Sequence, residues 1–255
     1  MEQKSIFSNK VALITGGSRG IGKAITLKLF SLGCDIIINY VKNEEAANNL
    51  VNEILANTTS QKVIAIKADI GDSEQIKAMF KQIKNEFGKL DILVNNAAFG
   101  ALGPAMRIGK FTWNMTMNLN TGGLLLCTQN AVKLMTNGGR IVNISSLGSQ
   151  FCLPDYMPIG TAKAAIETMT KYLACELIEK NIYVNAVSAG FIDTEALDIF
   201  NDIDDLKQKA IEKTPAKRLG MPDDIAKVVA FLCNDDSNWI IGQTIIADGG
   251  SSLRF

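Results

Sequence analysis

Seven short runs rich in valine, isoleucine and leucine recur along the 255 residues, each set apart from the next by a longer stretch with helical patterning. The runs are 10–15 (KVALIT), 34–40 (CDIIINY), 62–68, 90–95, 140–145, 182–187 and 244–247. Strands this continuously apolar cannot leave one sheet face in water. Alternated with helices, they specify a parallel sheet covered on both sides, an α/β doubly wound architecture of seven strands. Helices are expected over 43–56, over 73–87 with Asp72 or Ser73 as cap, over 111–135, over 158–180 with Pro158 in the first turn, and over 222–232. No linker, composition break or repeat divides the chain, so 1–255 reads as a single domain. The least core-like stretch is 193–213, which mixes Leu197, Ile199 and Phe200 with aspartates. It reads either as a flap over a crevice or as an exposed helix pair.

Composition narrows the chemistry. The chain has no histidine, so a Ser-His-Asp triad, a Cys-His pair, a His-ligated metal and imidazole acid–base work are all excluded. Twenty-six Lys and Arg balance 26 Asp and Glu, which gives no charge signal for nucleic acid. The five cysteines are scattered without a C-x-x-C pair, and read as reduced core filler rather than zinc ligands or disulfides. The first ten residues lack an apolar secretory core, and no uncharged apolar stretch approaches the roughly 20 residues of a membrane span. A soluble, cytoplasmic protein is the expectation, with no metal and no membrane partner.

Directly after the first strand comes Thr15-Gly16-Gly17-Ser18-Arg19-Gly20-Ile21-Gly22, which opens a helix. Glycines there permit a tight turn and let backbone N–H groups approach a pyrophosphate, while the helix N-terminus adds favourable partial charge. Between a strand and a helix, this pattern is the fingerprint of a Rossmann-type dinucleotide site. An NAD binder carries an acid at the end of its second strand to hold the ribose 2′-hydroxyl. Here that strand ends in Asn39-Tyr40, with Arg19 in the glycine loop and Lys42 just beyond the strand. Cations without the acid favour a 2′-phosphate, hence NADPH.

Further motifs resemble the short-chain dehydrogenase/reductase family over essentially the whole chain. The glycine loop is similar to its T-G-x-x-x-G-x-G, and Asn95-Asn96-Ala97-Ala98 to its N-N-A-G. Asp69-Ile70 resembles the acidic position near the adenine. Asn118 resembles the family's structural and catalytic asparagine, Ser146 its serine, and Thr194, two residues after Ile192, its threonine near the cofactor phosphate. The run from Asn185 to Gly190 resembles the N-x-x-x-P-G turn, with Ala189 in the proline's place. Lys163 stands 17 residues after Ser146, the family's serine–lysine spacing.

One departure decides the expected reaction. The family's tyrosine precedes its lysine by four residues, and that position holds Ile159, which cannot donate a proton. The nearest tyrosine is Tyr156, ahead of Pro158 and so on the loop before the helix. Tyr-x6-Lys is the spacing of enoyl-(acyl-carrier-protein) reductases, and the run from Ile144 to Lys163 resembles their type III. The resemblance implies NADPH-dependent reduction of an enoyl group linked to acyl-carrier protein or coenzyme A. In it Tyr156 donates to the thioester oxygen, Lys163 holds the nicotinamide ribose, Ser146 assists and Asn118 supports a water path. It also implies a homotetramer. Carbonyl reduction and a non-catalytic NADP(H)-binding role are the alternatives. Lys217 and Arg218 are candidates for a basic patch facing an acidic carrier. Phe99, Leu102, Leu197, Ile199 and Phe200 are candidates for an acyl slot.

Overall fold

The computed structural model describes residues 5–56, 60–199 and 203–253. Seven strands form one parallel sheet in the order β3-β2-β1-β4-β5-β6-β7. They are β1 (Val11–Ile14), β2 (Asp35–Tyr40), β3 (Val63–Lys67), β4 (Ile92–Asn95), β5 (Gly139–Ser146), β6 (Ile182–Ala189) and β7 (Thr244–Ala247). Every expected strand is present: β1 to β4 are shorter than expected by one or two residues, β5 and β6 run one or two residues further, and β7 keeps its expected bounds. Helices α1 (Gly20–Ser31), α2 (Glu44–Leu55), α3 (Ser73–Phe87), α4 (Lys110–Met117), α5 (Gly123–Val132), α6 (Met157–Leu177), α7 (Ile203–Lys213) and α8 (Pro222–Leu232) cover both faces.

Alternation within the strands sends side chains to two cores. Ala12, Ile14, Ile36 and Ile38 join Ile25 and Leu29 of α1, Leu50 of α2 and Val229 of α8. Leu13 and Ile37 join Ile76 and Phe80 of α3, Cys127 of α5 and Ala174 of α6 on the other face. Both faces of β1 are therefore dry, which is why its four residues read as an unbroken apolar run. Between the layers runs a buried polar chain. The Asn95 amide donates to Asn143 (2.9 Å), whose amide donates to Thr170 on α6 (2.9 Å). Each group is satisfied, so the chain ties β4, β5 and α6 in one register.

Asp72 is the cap of α3, accepting from the Glu74 and Gln75 amides, and Gly88 ends the helix in the left-handed region. The helix expected over 111–135 is instead α4 and α5 joined by a π turn, Asn118–Gly122. Two side chains bond back to the preceding turn, Asn120 to the Thr116 carbonyl (2.7 Å) and Thr121 to that of Met117 (2.5 Å). Gly123 then packs so closely on the Ile70 carbonyl that a Cβ would overlap it. Widening the helix by one residue brings that close approach to the end of the β3 connection.

Strand order reverses between β1 and β4, because the chain winds outward through β2 and β3 before crossing back. The C-terminal ends of β1 and β4 therefore splay their following loops apart and leave a crevice. The stretch 193–213 contains a short 3-10 turn, Glu195–Ile199, and the exposed helix α7. Phe200 and the Ile199 side chain lie outside the described residues.

Candidate active site

The glycine loop lines one wall of the crevice. Gly16 (φ +61°) and Gly20 (φ +53°) adopt left-handed backbone that other residues resist. A Cβ on Gly22 would collide with the Gly16 carbonyl, so the helix starts hard against the turn. Arg19 caps α1 without a side-chain bond, and no acid stands in the first turn. The amide end of the helix thus carries no built-in anion, and the glycines clear room above it. That cradle fits a pyrophosphate. Ser18 is buried in the loop, and Ile21 packs on the core beneath it.

The second wall is Asn95–Asn96–Ala97. Thr15 Oγ1 accepts from the amides of Asn96 and Ala97, each at 3.0 Å, and the Asn96 side chain donates to the Thr15 and Gly16 carbonyls at 2.9 and 3.1 Å. The two loops are stitched into one rim.

Asn39, which the sequence suggests with Tyr40 as a cofactor-binding residue, instead turns under the glycine loop. It is fully buried; its Oδ1 accepts from the Gly16 amide (3.3 Å) and its Nδ2 donates to the Ala68 carbonyl (2.9 Å). Its side chain supports the glycine loop from beneath instead of facing a ribose. Tyr40 is also buried, whereas Lys42 is exposed. The Arg19 guanidinium lies at the surface, 3.8 Å from Glu195. Asp69, half-buried, accepts from the Gly71 amide (2.8 Å), beside buried Ile70.

Ser146, Tyr156 and Lys163 converge at the end of β5. Ser146 accepts from the Gly148 amide (3.2 Å) and is hydrogen-bonded to the Tyr156 phenol. Tyr156 caps α6, with Pro158 just inside the helix, as the sequence predicts. Its ring lies on Gly148, where a Cβ would overlap it. Burial pushes the phenol up from its ordinary value, and the Ser146 bond partly offsets this. Lys163 is buried and donates to the Ile144 carbonyl (2.8 Å); burial lowers its ammonium to about 8. Ile159 is buried and packs against Gly100.

Two asparagines occupy the π turn. Asn118 is exposed and donates to the Gly71 carbonyl (3.2 Å). It is Asn120 that is buried, two residues on, with its amide bonded to the Phe99 carbonyl (2.6 Å) in the loop that packs against Ile159. Sequence reasoning missed Asn120; its spacing of four from Thr116 was the available signal. Glu167, one turn beyond Lys163, was also missed: its carboxylate accepts from Ser145 (2.7 Å) and Ser149 (2.5 Å).

From the far side, Gly190 is pinned under Asp248, Ile192 is buried, and the Thr194 methyl lies close to Gly20. The base of 193–213 therefore touches the glycine loop. Leu197 is buried, Leu102 half-buried and Phe99 half exposed at the rim. The Gly103 amide donates to the Asp155 carbonyl (2.8 Å), tying that rim to the residue before Tyr156. Lys217 and Arg218 are not a free basic patch. Arg218 holds Asp224 through two bonds of 2.6 and 3.1 Å, and Lys217 donates to the Glu212 carbonyl (3.0 Å). A forked guanidinium satisfied by a carboxylate has little left for a partner.

The family model described as enoyl-(acyl carrier protein) reductase matches residues 16–252. The chain belongs to the short-chain dehydrogenase/reductase family. It is thus an NAD(P)-dependent oxidoreductase. It is 37% identical over 254 residues to the 1-cyclohexenylcarbonyl-CoA reductase of Streptomyces collinus, covering 99% of this chain and 90% of that one. The 3-oxoacyl-(acyl-carrier-protein) reductase of Staphylococcus aureus is also 37% identical, over 94% of this chain and 97% of its own. A short-chain dehydrogenase from Burkholderia cenocepacia, solved in complex with NADP, superposes with a TM-score of 0.88 at 32% identity, covering 97% of this chain and 99% of that one. The two curated relatives are named for different carriers and acyl groups. No helix among the described residues is long and apolar enough to cross a membrane.

Proposed function

We propose that this short-chain dehydrogenase/reductase uses NADPH to reduce the C=C bond of an α,β-unsaturated acyl thioester. The observation that carries the reading is the pairing of Tyr156 with Ser146, while Ile159 fills the helix position with hydrocarbon. A phenol set one turn earlier meets a different substrate atom. The Streptomyces relative lends support, since a cyclohexenylcarbonyl thioester is itself α,β-unsaturated.

Gly16, Ser18, Ile21 and Gly22 would hold the pyrophosphate, with Arg19 at the 2′-phosphate and Asp69-Ile70 beside the adenine. Asn96, Ala97, Lys163, Gly190, Ile192 and Thr194 would line the nicotinamide half. Bound NADPH supplies a hydride. The chain's residues manage the charge that then develops on the thioester oxygen. Tyr156 donates a hydrogen bond to that oxygen, the part of the reaction where preorganised donors contribute most. Lys163 is held by the Ile144 carbonyl, two residues before Ser146; positive charge from it at the phenol would lower the cost of the tyrosinate left after proton transfer. Ser146 aims the phenol.

The partner follows from the same chemistry. Between Asp91 and Asp155 the chain contains no acidic residue. That stretch forms the rim, α4, α5 and β5, and exposes Arg107 and Lys110. An anionic carrier, acyl-carrier protein or coenzyme A, would meet these two cations and no acidic side chain from within that stretch.

Crotonyl and acetoacetyl thioesters, each offered with NADPH and NADH, test the reading. NADPH oxidation with crotonyl thioester is the expected result. Turnover of acetoacetyl thioester alone would select carbonyl reduction, the activity named for the staphylococcal relative. Tight NADPH binding without turnover of either would select a binding role.

A further inference from the structure

We propose that Glu167 is a positioning residue that sets Ser146 and the Tyr156 phenol in register through the turn Leu147–Ser149. The inference rests on the reading of Ser146, Tyr156 and Lys163 as the reacting set. One carboxylate oxygen of Glu167 accepts from Ser145 Oγ (2.7 Å), the residue before Ser146, and from Ser149 Oγ (2.5 Å), three residues after it. Ser149 Oγ also lies 2.8 Å from the Ser146 carbonyl oxygen. The other carboxylate oxygen faces the Gln150 amide at 3.5 Å. Both sides of Ser146 are thus moored to α6 by a side chain one turn from Lys163.

The turn held this way includes Gly148, the surface on which the Tyr156 ring rests. Gly160 of α6 packs on the Gly148 carbonyl so closely that a Cβ there would overlap it, with the Tyr156 ring alongside. The phenol sits ahead of the helix and lacks the rigidity of a helix-borne side chain. Its place depends on this turn, and the turn depends on Glu167. All of the carboxylate's hydrogen-bonding partners here are neutral donors, two hydroxyls and an amide. An uncharged acceptor of the same shape can replace it. A misplacement of about 1 Å at a reacting group costs on the order of 100-fold in rate.

The test uses the full chain with NADPH and crotonyl thioester. Glu167→Ala is expected to lower kcat about 10- to 100-fold, with KM for the thioester and Kd for NADPH within about threefold. Glu167→Gln, which keeps an acceptor for both hydroxyls, should recover to within about fivefold of the parent. Independently of any substrate, the Tyr156 titration followed by ring-labelled tyrosine NMR should move upward in Glu167→Ala as the Ser146 bond loosens. Unchanged kcat together with an unchanged Tyr156 titration overturns the proposal. So does a Glu167→Gln variant as impaired as Glu167→Ala. If crotonyl thioester is not a substrate, the NMR titration decides alone. If Glu167→Ala does not fold, Ser149→Ala, which removes one mooring, decides by the same two readouts.

Discussion

At the scale of single residues, chemistry here is set by burial and by what lies one atom away. Tyr156→Phe keeps the ring on Gly148 and removes only the hydroxyl. Turnover should fall at least about 100-fold, with NADPH affinity in a fluorescence titration changed less than twofold. Undiminished turnover would remove Tyr156 from its role. Lys163 makes a pH prediction whose sign can be worked out. Its ammonium titrates near 8 in the folded chain against an ordinary 10.5. Below pH 8 both states carry the proton and the cost of burying charge is fully present. Between 8 and 10.5 the folded state has released a proton that the unfolded state keeps, so stability rises with pH. Burial of Tyr156 acts oppositely, but only as pH passes the phenol's ordinary value of 10. Across pH 8–10 the Tm of the parent, without cofactor, should therefore climb relative to Lys163→Met. Parallel curves would mean that Lys163 is not desolvated.

Elements place those residues, and their irregular parts matter most. The π turn Asn118–Gly122 lets Gly123 approach the Ile70 carbonyl. A methyl there pushes backbone against backbone, so Gly123→Ala should cost about 1–3 kcal/mol in urea unfolding. Stability unchanged from the parent would show that the helix can shift at no cost. Residues 193–213, proposed as the substrate flap, meet the glycine loop through Thr194 against Gly20, while the ion pair Asp193–Lys207 (2.9 Å) ties the segment to itself. A flap closing over ligands should lose its protease sensitivity when NADPH and an enoyl thioester are added. Equal cleavage rates with and without ligands, read by mass spectrometry, would leave it an ordinary exposed segment.

For the whole molecule, the unpartnered apolar surface is the open question. Leu125 of α5 and Tyr172 of α6 are exposed, as are Phe231, Trp239, Ile246 and Leu253 around α8 and β7. Side chains this large in water at two regions of the surface suit association through two interfaces, consistent with the homotetramer that the family resemblance implies. Sedimentation should give about four times the 27.6 kDa chain mass. Tyr172→Asp should shift the protein to a smaller species, and a parent that sediments as a monomer would sink the assembly.

Much of this was legible in the chain itself. An apolar run buried on both faces has few alternatives to a central parallel strand, and a glycine turn between strand and helix has one common use. Short-range rules determined the layers, the glycine turn before α1, a cap at Asp72 or Ser73 and a helix start next to Pro158, because each depends on neighbours within a few residues. Tertiary structure alone decided the rest. Asn39 faces inward because the Ala68 carbonyl lies across the sheet from it. Asn120 rather than Asn118 reaches the Phe99 loop because the helix widens between them. Arg218 is taken by Asp224 before any partner can use it. The moorings of Ser146 span helix and strand residues about 20 positions apart. The long-range ones among these contacts join parts of the chain whose meeting only the packed sheet and helices define, and no local pattern encodes them.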